Sequence, residues 1–264
     1  YVLHKLPYNN KDVSLVGPEE VRDLRELHRH EMHCQIVLDS WHARGWTDSY
    51  LLRIDGRIVG YGLVGGVRGD PKDVVTEFYV SPHHRAHALP LFRRLVALSE
   101  ARSIEAQSND VLLTLMLFDC SHRIESTVIL FHDAITTSLA PRDATFRRTT
   151  GADEGRAFEH AAEPVGDWLL GVDGDIVATG GILFHYNIPY GDIFMEVAEA
   201  HRRRGYGSYL VQELKRECRE LGRIPAARCD ASNAASRATL QKAGMQPCAR
   251  VLNGVLERGD AVGP

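Results

Sequence analysis

The chain has 264 residues, enough for one large domain or two small ones, and 44% of them are apolar, an ordinary globular fraction. A net charge of −4 argues against duplex nucleic acid as a partner and suits small cationic or neutral substrates better. Cys34, Cys120, Cys218, Cys229 and Cys248 are scattered, with no CxxC pair, which excludes a disulfide framework or thiolate zinc site and points to a reducing, cytoplasmic setting.

The first residues, YVLHKLPYNNKD, lack the architecture of a signal peptide. No later apolar run approaches the roughly 20 residues needed to cross a bilayer, so a soluble protein with no membrane partner is expected. HRHEMHC then gathers His28, His30, Glu31, His33 and Cys34. On a helix His30 and His33 would share a face, but the spacing is not that of HExxH, and no metal site is expected. A solvated helix surface or part of an acceptor site are the readings that remain.

SYLLRIDGRIVGYGLVGG (49–66) reads as strand, Asp-Gly turn, strand, the strongest short hairpin signal. VVTEFYV predicts a further strand, VSPHHRAHALPLF a turn, and Leu89 to about Ser103 an amphipathic helix. VLLTLMLF is read as the strand that closes this half. The apolar pattern breaks in TTSLAPRDATF, around Pro141.

The pattern then recurs. DWLLGVDGDIVATGGILF (167–184) is a second hairpin whose turn aspartate, Asp173, follows Asp55 by 118 residues, and Val197 follows Val80 by 117. Two features repeated at one spacing indicate a duplicated unit. The strand DIFMEV leads into VAEAHRRRGYGSYL, a helix runs from about Gly207 to Leu221 with Gly222 as its stop, and AARCDA supplies the next strand. The expected fold is α/β (α+β), as two tandem lobes over residues 1–140 and 144–264. Each is a mostly antiparallel mixed sheet flanked by helices.

A strand that enters a glycine turn and then a helix start presents free amides at the positive end of the helix dipole. Gly205 and Gly207 permit close backbone approach, and Arg202, Arg203 and Arg204 add donors suited to phosphate oxygens. The segment lacks a P-loop's Gly-Lys-Ser/Thr ending and has Leu210 where a dinucleotide fingerprint needs its third glycine.

Through Arg202, Gly205 and Gly207 the segment resembles the R/Q-x-x-G-x-G/A pyrophosphate motif of the GCN5-related N-acetyltransferase (GNAT) superfamily. CDASNAASRATLQKAGM resembles that family's following strand and helix, with Asn233, Gly244 and Met245 in the matching places. The likeness covers about residues 145 to 256. It implies a V-shaped opening between two central strands, acetyl-CoA as cosubstrate and a primary amine, of a small molecule, as acceptor. Val197, Arg202, Arg203, Arg204, Gly205, Tyr206, Gly207, Ser208 and Asn233 would bind the cofactor, although Asn233 could equally be a helix N-cap.

An alkyl amine with pKa near 10.4 is neutral in only about one molecule in a thousand at pH 7, a handicap of about 4 to 5 kcal/mol, so a base is required. The resemblance points to a carboxylate on the strand before the motif. Glu196, beside Val197, is the preferred base, with a solvent-facing strand residue as the alternative, and Asp192 is the other candidate. Backbone near Val197 would polarise the thioester carbonyl. The family often has a tyrosine in the helix after Asn233, but here that place holds Leu240. Tyr190, Tyr186 and His185 are possible proton donors, and packing is the alternative for each.

The first lobe has Ala88 and Pro90 where the second has Gly205 and Gly207, and proline carries no N–H. It is therefore expected to be a degenerate copy that does not bind acetyl-CoA. Rival functions are a non-catalytic acyl-CoA sensor or scaffold and a protein N-terminal or lysine acetyltransferase. The protein would be a monomer or homodimer.

Overall fold

The structure, a computed structural model, describes residues 10–36, 39–66, 68, 70–141 and 143–257. Most of the opening segment read above for a leader lies outside them. The described residues form two compact units. One comprises the chain up to Cys34, residues 39 to 126, and Val251 onward; the other comprises Gln35, Ile36 and residues 127 to 250.

In the first unit the elements run β1 (Lys11–Val16), α1 (Arg22–Met32), α2 (Asp39–Ala43), β2 (Thr47–Ile54), β3 (Arg57–Gly65), β4 (Val74–Val80), α3 (Ala88–Ser99), β5 (Ser103–Gln107) and α4 (Val111–Cys120). Then comes β6 (Ser121–Asp133), followed in the second unit by β7 (Thr145–Arg148), β8 (Trp168–Val172), β9 (Asp175–Leu183), β10 (Tyr190–Val197), α5 (Tyr206–Glu220), β11 (Ile224–Asp230), α6 (Ala234–Lys242) and β12 (Met245–Leu256). The first unit orders its strands β1-β2-β3-β4-β5-β12 and the second β7-β8-β9-β10-β11-β6. In both, the fourth and fifth strands pair in parallel and the other neighbours within each unit are antiparallel. This is the mixed α/β architecture expected.

Turn chemistry fixes the two hairpins. Asp55 and Gly56 sit at φ 50 and 77, Asp173 and Gly174 at φ 49 and 89, the paired left-handed conformation of a two-residue turn that matches strand twist. Each hairpin also shifts register at one point, between Leu52 and Arg53 in the first and between Leu170 and Gly171 in the second. The bulges again stand 118 residues apart, so the duplication extends to backbone irregularities that no side-chain pattern discloses.

Three expectations are corrected. VLLTLMLF is not a strand but most of α4. Asp110 accepts a hydrogen bond from Leu113 N at 3.1 Å and so caps the helix start. A short apolar run cannot be told from a buried helix by periodicity alone, and the strand lies upstream at β5. The helix expected to reach Ser103 stops at Ser99, because Glu100 turns left-handed at φ 57. The lobe boundary also moves from about residue 141 to between Ser126 and Thr127, inside β6, and Val251 onward belongs to the first unit.

That last change follows from strand pairing. β6 pairs through residues 128–132 with β11, and β12 pairs through residues 251–255 with β5. Each long strand thus supplies residues to both units. The Pro141 segment is a loop of the second unit, fastened by a reciprocal pair between Leu139 and the Gln212 amide at 2.6 and 2.9 Å.

Each unit has its own core. The first packs Leu91, Phe92 and Leu95 of α3 and Leu113 and Leu117 of α4 against Phe78 and Ile104. The second packs Leu210, Val211, Leu214 and Cys218 of α5 against Ile182, Ile193 and Phe131. None of the five cysteines is in a disulfide, and no described helix is long and apolar enough to cross a membrane.

Candidate functional site

β10 and β11 pair only through Tyr190–Ile224, Gly191–Pro225 and Asp192–Ala226. Beyond Asp192 the strands part: β10 continues on β9 to Val197 and β11 on β6 to Asp230. The result is a V whose apex is Asp192. In the first unit β4 and β5 part likewise after Val75–Ile104, so a valine occupies the apex there.

At the far end of β10 the chain passes a single turn of 3-10 helix, Glu199–His201, and enters the basic turn. Arg203 and Gly205 are left-handed, at φ 64 and 90, and α5 starts at Tyr206. Among the described residues none of the amides of residues 203 to 208 meets a backbone acceptor: Arg202 N still bonds Glu199 O, and Tyr209 N already bonds Gly205 O. A helix start leaves four such donors, and the two left-handed residues extend the set. In the first unit a 3-10 helix, Pro82–His87, runs straight into α3 with no left-handed residue between.

The two glycines of the motif serve different ends. At Gly205 a Cβ would meet nothing nearer than Lys242 Nζ at 3.7 Å, so its backbone angle, not space, requires glycine. At Gly207 a Cβ would approach Thr239 and Val197 to 3.1 and 3.2 Å, so this glycine lets α5 pack closely against α6 and the end of β10.

The arginines also divide. Arg202 Nε donates to Val197 O at 3.1 Å, and in the first unit Arg85 Nε donates to Val80 O at 3.2 Å. The clamp persists where the glycine turn has gone, which marks Arg202 as a fastener of the strand end. Arg203 and Arg204 are exposed, available to an anion held on the amides. Tyr206 donates to Asp143 at 2.7 Å and Ser208 to Thr239 O at 3.1 Å. Their side chains are engaged in these bonds, which leaves their amides as the unengaged donors. Asn233 caps α6, its Oδ1 accepting from Ser236 N at 2.9 Å, which is the N-cap alternative.

The two carboxylates of β10 have opposite environments. Glu196 accepts from Ala161 N, Ala162 N and Glu163 N at 2.8, 3.2 and 3.1 Å. Although burial opposes it, these amides hold the Glu196 carboxyl below its ordinary value. With three donors attached it is an anchor for the 161–163 loop and a poor base. Asp192 is 3% exposed, and burial pushes its carboxyl up to about 7, with Arg228, whose Nε lies 3.4 Å away, opposing the rise. The two stand four strand residues apart, about 13 Å, too far to serve one proton.

Around Asp192 lie His185 Nε2 at 3.8 Å and Tyr186, whose ring carries the Arg228 guanidinium 5.3 Å from its centroid. Burial pushes the Tyr186 hydroxyl well above its ordinary value, with the Asp192 charge adding to it. Tyr190 belongs to the paired stem of the V, two residues before Asp192. Leu240 is a buried core residue, so the family's usual hydroxyl has no counterpart at that place.

The histidine cluster dissolves on folding. α1 ends at Met32, and His33 is its left-handed cap at φ 50, so His30 and His33 do not share a helix face. His28 is instead buried, bonded to the Tyr61 hydroxyl at 2.8 Å and Asp110 Oδ2 at 2.9 Å. Tyr61 donates on to Glu77 at 2.7 Å, and Arg25 grips Glu77 with two bonds of 2.8 and 3.0 Å. This satisfied buried chain braces the first unit. Among the described residues no group of histidine, cysteine and carboxylate could hold a metal.

Comparison with known proteins shows a likeness of fold. Residues 133–245, which lie within the second unit, match the model of the Acetyltransferase (GNAT) family. No curated protein matches the chain. An acetyltransferase of the GNAT family from Colwellia psychrerythraea has a similar structure, with TM-score 0.72 and 13% identity over 93% of this chain and 100% of that one. A GCN5-related N-acetyltransferase from Sphaerobacter thermophilus gives 0.61 and 17% over 94% and 96%. A tandem GNAT protein from the clavulanic acid biosynthesis pathway gives 0.57 and 11% over 95% and 100%. At these identities the likeness is one of fold.

Proposed function

We propose that the second unit transfers the acetyl group of acetyl-CoA to a primary amine of a small molecule, with Asp192 as the base. The observation that carries this reading is the fan of unengaged amides from Arg203 to Ser208, set beyond a V whose apex holds a carboxyl near neutrality. The donor set suits a diphosphate: main-chain N–H groups at a helix start, flanked by Arg203 and Arg204. Acetyl-CoA would supply an acetyl thioester, activated for acyl transfer.

The remaining work falls to this chain's own groups. An amine that arrives as an ammonium must lose a proton before it can attack. A carboxyl near pH 7 is ionised in about half the molecules at neutrality and takes that proton at about 4 kcal/mol less cost than an ordinary carboxylate would; Glu196, held low by three amides, lacks that advantage. Val75 in place of Asp192 and the unbroken 3-10 path into α3 leave the first unit without either device. It serves as a support, and catalysis is confined to the second unit.

Release of free thiol from acetyl-CoA, measured across a panel of primary amines, tests the reading. Turnover with at least one small amine is the expected result. Cofactor binding without thiol release for any amine would favour a non-catalytic acyl-CoA sensor, which the loss of the family's tyrosine at Leu240 suggests. Turnover on peptides alone would move the acceptor to a protein terminus or lysine.

A further inference from the structure

Three oxygens near the apex of the V are buried with no hydrogen bond of ordinary geometry, Gln35 Oε1, Tyr186 Oη and Asp192 Oδ1, and the Tyr186 hydroxyl and the Asp192 carboxylate interact with one another. Each belongs to a residue of the second unit that is 3% exposed. A buried polar atom left unpaired costs about 1 to 3 kcal/mol, so an amide oxygen with no partner beside a hydroxyl and a carboxylate that meet only imperfectly calls for an explanation.

They belong to one cluster. Asp192, Arg228 and Cys248 all lie near enough to Tyr186 to act on its hydroxyl. Gln35 Nε2 contacts Cys248 Sγ at 3.5 Å and donates to Phe131 O at 3.0 Å, which fixes the amide and leaves Oε1 as its unengaged end. The Gln35 carbonyl accepts from Asn187 N at 3.0 Å, tying its backbone to the residue after Tyr186. Gln35 precedes the second unit by some ninety residues of chain, yet folds into it beside the sole carboxylate of the trio.

We infer that Gln35, Tyr186 and Asp192 form the subsite for the acceptor's primary amino group; this rests on the transferase reading above. A primary ammonium has three N–H donors, and the cluster presents three acceptor oxygens, one of them charged. The ammonium proton nearest Asp192 passes to its Oδ1, leaving the nitrogen lone pair free, while Gln35 Oε1 and Tyr186 Oη keep the other two N–H groups. A secondary or tertiary amine lacks donors for all three, so the subsite selects primary amines.

Gln35→Leu and Tyr186→Phe each delete one oxygen at nearly constant shape. Either variant should raise KM for a primary amine by about ten- to a hundredfold, the loss of one hydrogen bond to a charged group, while KM for acetyl-CoA stays within about twofold. Native preference for a primary over the matching N-methyl amine should shrink in both variants. Calorimetric titration of the amine into protein saturated with CoA gives the same comparison without turnover. Melting temperatures and CoA affinity, recorded in parallel, show that each variant is folded. Native turnover with an unchanged amine KM and Kd in both folded variants would overturn the subsite alone. Absence of turnover by the native protein for every amine would instead remove the transferase reading and this inference with it.

Discussion

Asp192→Asn isolates the property on which the proposed chemistry depends, a carboxyl whose neutral form is favoured by burial. A rise from 3.8 to about 7 corresponds, at about 1.4 kcal/mol per pH unit, to a cost of up to about 4 kcal/mol for folding with Asp192 ionised. The sign follows from linkage. The folded value lies above the unfolded one, so the contribution to stability is complete below pH 4 and is lost as pH rises through 7. Asparagine does not titrate. Urea unfolding of both proteins between pH 4 and 8 should therefore show the native protein losing stability relative to the variant by about 3 kcal/mol between pH 5 and 8. Over the same range the acid limb of the native kcat/KM profile, near pH 7, should vanish in the variant along with most of its rate. A stability difference that does not vary with pH would refute the elevated carboxyl, and a surviving acid limb would refute its role as base.

Three further outcomes probe the parts around it. Glu196→Gln should leave the acid limb near pH 7 in place while amide exchange at residues 161–163 accelerates, because the loop loses its anchor; a vanished limb would return the base assignment to Glu196. Gly205→Val places a β-branched residue at φ 90, a strain of about 1 to 2 kcal/mol, and should lower melting temperature and weaken CoA binding, whereas unaltered CoA affinity by calorimetry would remove the turn from the cofactor site. Lys215→Met removes an ammonium that is 1% exposed and bonds Asp133, Ile135 O and Ala243 O at 2.9, 2.8 and 2.7 Å; stability in urea should fall by about 3 kcal/mol or more, and a loss under 1 kcal/mol would show that Arg219, which also meets Asp133, suffices.

Much of the site's frame is legible in the sequence because it is set by local rules. Asp-Gly between alternating strands specifies each hairpin, the glycine turn the entry to α5, and helical spacing places Val211, Leu214 and Cys218 on the face that α5 buries, although Leu221, which the same spacing puts there, is 46% exposed. Their repetition at 117 to 118 residues gives two similar lobes, and the contrast of Gly205 with Ala88 separates the lobe with a phosphate turn from the lobe without one. Neighbours within a few residues suffice for all of this, since backbone angle and periodicity are properties of short segments.

The division of labour among the named residues was decided by tertiary structure. Asp192 and Glu196 share a strand and a residue class, and in the sequence Glu196 has the better position. Only the arrival of the 161–163 amides at one, and burial beside Tyr186 and Arg228 at the other, separates anchor from base. Arg202 shows itself as a clamp only when its bond to Val197 O is set beside that of Arg85. Gln35 stands in a histidine-bearing segment of the first lobe's sequence and reaches the second unit through long-range packing, as β6 and β12 do. No composition break marks these crossings, because a strand that changes partners midway keeps the same alternation throughout. Charge state and partnership depend on which distant groups come within a few ångströms, and folding alone sets those distances.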